Sequence, residues 1–377
     1  MAALEASEVW CKVFGAELPP PVRDEQSEVP FDASGGEPKG LFSERLLRTA
    51  IARYPSHKSP GADGVPIVLL QALSGSLPFE AQAEKATPPR PSSSPSASRL
   101  SPTASPFIPT QPQPPRPPLR PWDRLFGNAP PDPPPPPPPF TFPRLLSSLF
   151  RLAAAAGVTP LRWGGATVAL ILKLKTSDNP TPAQTRPIAL LPLFRCLFEI
   201  LLLPHLRPSP SRPWAALHPN QAGFRSGWSC ASSILLVDHH VRSGEQLSAF
   251  LNFKSAYDSP SPTVVDRAFR QLGIPPLTRS VVWSLLTSGS SFSLIVNGSP
   301  TPSLPRRRGF PQGGPSSPPL FNLFLNSLLH RLNALPDLSA FAYADDIALT
   351  ARTCTALQHG LAIAAEWADE WEIVWTD

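Results

Sequence analysis

The stretch Phe341-Ala342-Tyr343-Ala344-Asp345-Asp346-Ile347-Ala348-Leu349 sets two adjacent carboxylates inside an apolar run that resumes at once. Such a pattern predicts strand, tight turn, strand, with the acids at the turn. Neighbouring side chains on a strand face opposite ways, so a hairpin tip is a natural place to show both acids to one solvent cleft. Two carboxylates held together repel, and a divalent cation relieves the repulsion. Mg²⁺ takes oxygen ligands, commonly one or two carboxylates together with substrate phosphates. The competing reading is an acidic hairpin turn without further chemistry, since Asp is a common turn residue.

Outside this stretch the composition is uneven. The chain has 377 residues, and 54 of them are Pro, well above the usual share of about 5%. Residues 75–140 hold much of the excess, with Pro133 to Pro139 uninterrupted. A segment so poor in large apolar residues cannot offset the entropy of ordering it, so 75–140 reads as a disordered or polyproline II insertion. Within it Pro115-Arg116-Pro117-Pro118-Leu119-Arg120 has the PxxPxR form that docks on SH3-like grooves; a passive spacer is the alternative. Cys11, Cys196, Cys230 and Cys354 are scattered without a CxxC pair, which argues against zinc and a disulfide framework and fits a reducing compartment. Met1 opens onto acidic and small residues rather than a basic-then-apolar leader. The most apolar run, Ile188 to Leu203, is interrupted by Pro192, Arg195 and Glu199 and is shorter than the ~20 residues of a membrane span. It reads as a buried helix, and no membrane partner is expected. The net charge of +5 permits a nucleic-acid partner without demanding one.

In chain order, 1–40 is irregular, and Leu41 to Tyr54 forms a helix with Leu41, Phe42, Leu46, Leu47, Ala50 and Ile51 on one face. A turn-rich basic loop, His57 to Pro66, comes next. Past the Pro-rich stretch, Leu145 to Ala156 is helical and stops at Gly157. Ala166 to Leu174 is a strand ending in basic residues, and Thr185 to Leu191 leads into the helix ending near Leu203. A Gly-punctuated loop, Leu217 to Cys230, precedes a helix running to about Arg242. Strands are expected over 247–253 and 291–297, and helices over 263–272, 277–287 and 320–332. Pro318 and Pro319 sit at the start of that last helix, where Pro is tolerated. Leu357, Leu361, Ala364, Ala365, Ala368 and Trp371 mark a final amphipathic helix.

Six pieces recur in one order: KSPGADGVP (58–66), the ILK and TRPIALL pair (171–173, 185–191), NQAGFRSGWS (220–229), FLNFKSAYD (250–258), GFPQGGPSSPPLF (309–321) and FAYADD (341–346). Together they resemble the reverse transcriptases of non-LTR, LINE-like retrotransposons, over roughly 41–74 and 142–375. The final ALQ…WADEW helix is similar to the segment after the metal hairpin in that family. The resemblance implies an α/β polymerase right-hand fold. It implies a palm with a short antiparallel sheet over 247–375 and partial fingers over 41–74 and 142–246. The chain would end before a thumb. It also implies an RNA template, a DNA primer and deoxynucleoside triphosphates as partners, with nuclear or cytoplasmic residence.

The same resemblance implies the site residues. Asp345 is the expected principal metal ligand, supported by Asp346, for the two Mg²⁺ (or Mn²⁺) ions of nucleotidyl transfer. Tyr257 takes the place of the aromatic beneath the nucleotide sugar, where its ring selects deoxynucleotides. Lys173 and Arg186 match positions that grip the triphosphate. Gly309, Pro311, Gln312 and Gly313 match the loop beside the template and new base pair. Arg306 to Arg308 offer charge to nucleic-acid phosphates, or else form a solvated basic loop. Asn252 stands where the family has its first catalytic Asp. An amide brings a neutral oxygen and two donors in place of a charged acceptor, so polymerase activity is expected to be severely impaired. Asp258, past the strand end, does not replace it. Gly314, Ser316, Pro319 and the Gly164-Gly165 entry to a strand also depart from the family pattern, as in a decayed element copy. Two further readings stay open: a non-catalytic nucleic-acid-binding remnant, and an unstable pseudogene product.

Overall fold

A computed structural model describes residues 42–55, 63–74, 141–173, 184–296 and 298–375. These all belong to one of the chain's two units, residues 1–77 with 141–377. The irregular N-terminal segment, the start of the KSPGADGVP loop, the Pro-rich insertion and its PxxPxR segment lie outside the described residues.

Helix α1 (Glu44–Arg53) begins at Ser43, whose hydroxyl accepts from the Leu46 amide, a capping arrangement that satisfies one free helix donor. It buries Leu47 and Ile51, whereas Leu46, expected on the same face, is exposed. After α2 (Ile67–Leu73), α3 (Phe142–Ala156) ends at Gly157 in the left-handed conformation (φ 65°), as its sequence predicts. Strands β1 (Gly165–Leu172) and β2 (Thr185–Leu190) pair antiparallel, with Pro187 opposite Leu170. β2 is an edge strand, where a missing donor is tolerated. Helix α4 starts only at Leu193 and runs to Leu202. The run Ile188 to Leu203 is therefore not one helix. Pro192 pushes Leu191 out of helical geometry, leaving a strand before it and a helix after it.

Helix α5 (Cys230–Arg242), β3 (Leu247–Leu251), α6 (Pro262–Gln271) and α7 (Pro276–Thr287) come after it. Next are β4 (Ser291–Val296), β5 (Ser299–Pro300) and β6 (Leu304–Pro305). Helix α8 (Ser317–Asn333), β7 (Leu338–Tyr343), β8 (Asp346–Ala351) and α9 (Cys354–Glu370) complete the series. Among the described residues the fold is mixed α/β, with two sheets. One has the order β2-β1-β4-β5, with β6 also on β4 and β1 parallel to β4. The other is β3-β8-β7, antiparallel throughout.

The larger core surrounds α8. Its Leu320, Phe324, Leu328 and Leu332 are buried with Phe253, Leu349, Trp367 and Trp371. The Phe324 and Trp367 rings meet edge-on at 5.5 Å, a favoured geometry for the ring quadrupoles. A smaller core of Val168, Cys196, Phe292 and Leu294 belongs to the first sheet and α4.

Two departures from the family pattern prove compatible with packing. A side chain at Gly164 would run into the Ser288 and Gly289 backbone, so glycine there permits a close crossing. Pro318 and Pro319 occupy the first turn of α8, whose amides have no intrahelical acceptor to lose. Among the described residues no helix is long and apolar enough to cross a membrane.

Candidate active site

Strand pairing decides which side chains meet. β3 runs against β8 in the register Leu251↔Ile347, and β7 against β8 in the register Tyr343↔Asp346. Asn252, the residue after β3, therefore comes to the same end of the sheet as Asp346 and the turn residues Ala344 and Asp345. Asp345 is partly buried and Asp346 is exposed. Burial raises the Asp345 pKa, and the neighbouring Asp346 charge adds to it; its own backbone amide and Arg186 act in the opposite direction.

The Tyr257 ring stacks on Phe321, with centroids 4.6 Å apart and planes at 19°. Its phenol is held protonated far above its usual range, first by burial and then by the Asp345 charge. Its buried hydroxyl has no hydrogen-bond partner among the described residues. Asp345 is thus an electrostatic neighbour of both Tyr257 and Arg186.

The loop from Gly309 to Gly314 is pinned from both sides. The Gly309 amide donates to Pro260 and the Phe310 amide to Tyr257, at 2.8 and 2.7 Å. The Ala189 amide of β2 donates to the Gln312 carbonyl at 2.7 Å. Gly309 and Gly313 both have positive φ, and a Cβ at either would collide with the backbone they rest on. Pro311 is buried, and its carbonyl accepts from the Ser317 hydroxyl at 2.8 Å. Gln312 donates through Nε2 to Asp258 Oδ2 at 2.8 Å. Asp258 is 3% exposed. Burial raises its pKa to about 7 against the pull of Gln312, Arg306 and Lys173. Lys173 and Arg186 are both exposed, on the β1–β2 side of the site.

Arg306 departs from expectation. It neither reaches for phosphates nor forms a solvated loop, being 6% exposed. β6 pairs with β4, and the Arg306 amide continues that pairing onto the Ser290 carbonyl, carrying the side chain inward. Burial, then the charge of Arg195, lower its pKa to about 9. Arg308 is held by Glu372 at 2.7 Å.

Three groups gain roles that their sequence context does not suggest. Gln221 is fully buried and holds the Ala344 turn. Arg195 and Glu199 form a buried pair at 2.6 Å, and Glu199 also receives the Ser316 amide and hydroxyl at the start of α8. Asp258 anchors Gln312. For Gln221 the only signal in the sequence is its place within NQAGFRSGWS.

Residues 174–375, more than half of the chain, match the family described as Reverse transcriptase (RNA-dependent DNA polymerase), and the chain belongs to it. It is a reverse transcriptase domain of a non-LTR, LINE-like retrotransposon. It is 28% identical over 236 residues to the Retrovirus-related Pol polyprotein from type-1 retrotransposable element R2 of Popillia japonica, covering 59% of this chain and 32% of that protein. It is 31% identical over 222 residues to the Putative 115 kDa protein in type-1 retrotransposable element R1DM of Drosophila melanogaster, covering 55% of this chain and 20% of that protein. The chain spans between a fifth and a third of the length of these two relatives. Among solved structures, apo telomerase from Candida tropicalis, truncated from its C-terminal domain, overlaps 61% of this chain and 53% of its own at 12% identity and a TM-score of 0.41.

Proposed function

We propose that residues 41–74 and 142–246 form fingers and 247–375 the palm of an RNA-directed DNA polymerase whose nucleotidyl transfer is impaired at Asn252. The observation that carries this reading is the convergence of Asn252, Asp345 and Asp346 at one end of the β3-β8-β7 sheet, with Tyr257 beside Asp345. The substrates are an RNA template, a DNA primer and deoxynucleoside triphosphates.

The donor set suits a hard dication. Two carboxylates and an amide oxygen are all oxygen ligands, and the mutual repulsion of Asp345 and Asp346 is what a cation relieves. The family is generally dependent on a divalent metal. Mg²⁺, or Mn²⁺ in its place, would be held by Asp345 and Asp346, with Asn252 offering only a neutral oxygen. When bound, a pair of such ions stabilises the attacking and leaving oxygens of in-line displacement. The chain's own residues do the rest. Lys173 and Arg186 hold the triphosphate, and the Tyr257 ring excludes a 2′-hydroxyl. Gln312, on the loop of Gly309, Pro311 and Gly313, lines the nascent pair.

Primer extension on an RNA template tests this, comparing the native chain with Asn252→Asp and using Asp345→Ala as the blank. Asn252→Asp should extend, and the native chain should run at least ~10-fold slower, the lower end of what losing even a supporting partner of a metal ligand costs. Equal extension by both overturns the impairment.

A second reading is a nucleic-acid-binding remnant without catalysis. It is favoured by one observation: at the sheet end where Asp345 and Asp346 lie, the residue after β3 is Asn252, a neutral amide that adds no third charge. Tight primer–template binding with no extension by Asn252→Asp would select it.

A further inference from the structure

Ala344 has φ 59°, a left-handed region that crowds the Cβ of any residue but glycine. It is also 5% exposed, so its amide and carbonyl have little access to water. Both groups are satisfied by one side chain. Gln221 Oε1 accepts from the Ala344 amide at 2.9 Å, and Gln221 Nε2 donates to the Ala344 carbonyl at 3.2 Å. The same Oε1 accepts from the Gly223 amide at 2.9 Å. Two N–H groups aimed at one atom identify it as the oxygen, which fixes the orientation of the amide. Backbone pairing extends the attachment: Ala222 N–H donates to Ala342 at 2.8 Å, and Ala342 N–H to Asn220 at 2.9 Å. Asn322 of α8 donates to the Gly223 carbonyl at 2.8 Å. A Cβ on Gly223 would collide with the Ala344 nitrogen, so the loop rests directly on the turn.

We infer that Gln221 is a positioning residue: its primary amide, tied through Gly223 and Asn322 to α8, holds the strained Ala344 turn and so fixes where Asp345 presents its carboxylate. This rests on the reading of Asp345 as a metal ligand.

The test uses Mn²⁺ alone as the probe, read by electron paramagnetic resonance on the full chain. Native protein, Asp345→Ala, Gln221→Leu and Gln221→Glu are compared. Gln221→Glu keeps the acceptor for both amides but loses the donor to the Ala344 carbonyl. Gln221→Leu should weaken Mn²⁺ binding by ~10–100-fold, the range for partners that orient metal ligands, and Gln221→Glu should weaken it less. Hydrogen exchange at the Ala344 amide is measured alongside. In the native chain it should be protected to the level of β7. In Gln221→Leu it should exchange faster while the β7 amides stay protected, which separates a loosened turn from a failed fold. Unchanged Mn²⁺ affinity in Gln221→Leu, where Asp345→Ala abolishes binding, overturns the positioning role. If Asp345→Ala leaves Mn²⁺ binding intact, the metal reading fails, and with it the metal-presenting role of Gln221; amide exchange then decides only whether Gln221 holds the turn. An Ala344 amide that exchanges freely in the native chain overturns the hold on the turn outright.

Discussion

The Asp258 carboxylate accepts a hydrogen bond from Gln312 Nε2 at 2.8 Å, joining the segment after β3 to the loop before α8. This carboxyl titrates near pH 7 in the folded chain against an ordinary value of 3.8. Between these values the native state holds a proton that the unfolded state has released. Stability therefore falls as pH rises from about 4 to about 7 and levels off above that. Asp258→Asn keeps an acceptor for Gln312 and removes the titration. The stability of the native chain relative to this variant should fall by up to about 4 kcal/mol across the window, since each pH unit between the unfolded and folded values is worth about 1.36 kcal/mol. Urea unfolding of both proteins at intervals from about pH 4.5 to 8 measures it. A flat difference would show that Asp258 is solvated.

The Arg195–Glu199 pair makes a sharper demand on the core. Both side chains are almost fully buried, and Glu199 divides its two oxygens between Arg195 and Ser316. Arg195 also donates to the Trp163 carbonyl at 3.2 Å. Removing one partner of a buried pair strands the other charge, typically at about 3–5 kcal/mol. Glu199→Ala should cost that much in urea unfolding. It should also loosen the first turn of α8, visible as faster amide exchange at Ser316. A cost below about 1 kcal/mol would place the pair with exposed ones.

The contrast between these residues and the hairpin shows what sequence reading reaches. Two charges inside an apolar alternating run are conspicuous, and the structure forms the expected hairpin there, with the turn at Ala344 and Asp345 and with Asp346 opening β8 rather than lying in the turn. Most helices are legible from their apolar spacing, because periodicity is a local property of the chain; α2 and the strand before α4 are not. Pairing is not local. Apolar alternation in Val168 and Leu294 marks two buried strands, but nothing in either indicates that β1 and β4 lie parallel. Buried polar residues are the least legible. Gln221 in a Gly-punctuated loop looks solvated, and Arg306 within three arginines looks like a surface patch. Each is buried by a backbone pairing that the local pattern does not encode: Gln221 beside β7, Arg306 beside β4.

The burial of Arg306 separates the basic residues into those able to bind nucleic acid and those that are not. Its Nε donates to Ser290 at 3.0 Å, and its two terminal nitrogens are buried without a hydrogen-bond partner among the described residues. Arg186 is exposed and acts on Asp345. Each phosphate contact contributes about 0.9 to the slope of log affinity against log salt on duplex and about 0.7 on a single strand. Arg186→Ala should therefore reduce the slope for a primer–template by close to one contact. Arg306→Met should leave the slope unchanged and the fold at least as stable, since an apolar side chain of similar length leaves no buried donors unpaired. Fluorescence anisotropy from about 50 to 300 mM salt measures the slopes, and urea unfolding the stability. A reduced slope for Arg306→Met would mean that the β6 segment opens to admit nucleic acid, and that the pairing of β6 with β4 gives way when it binds.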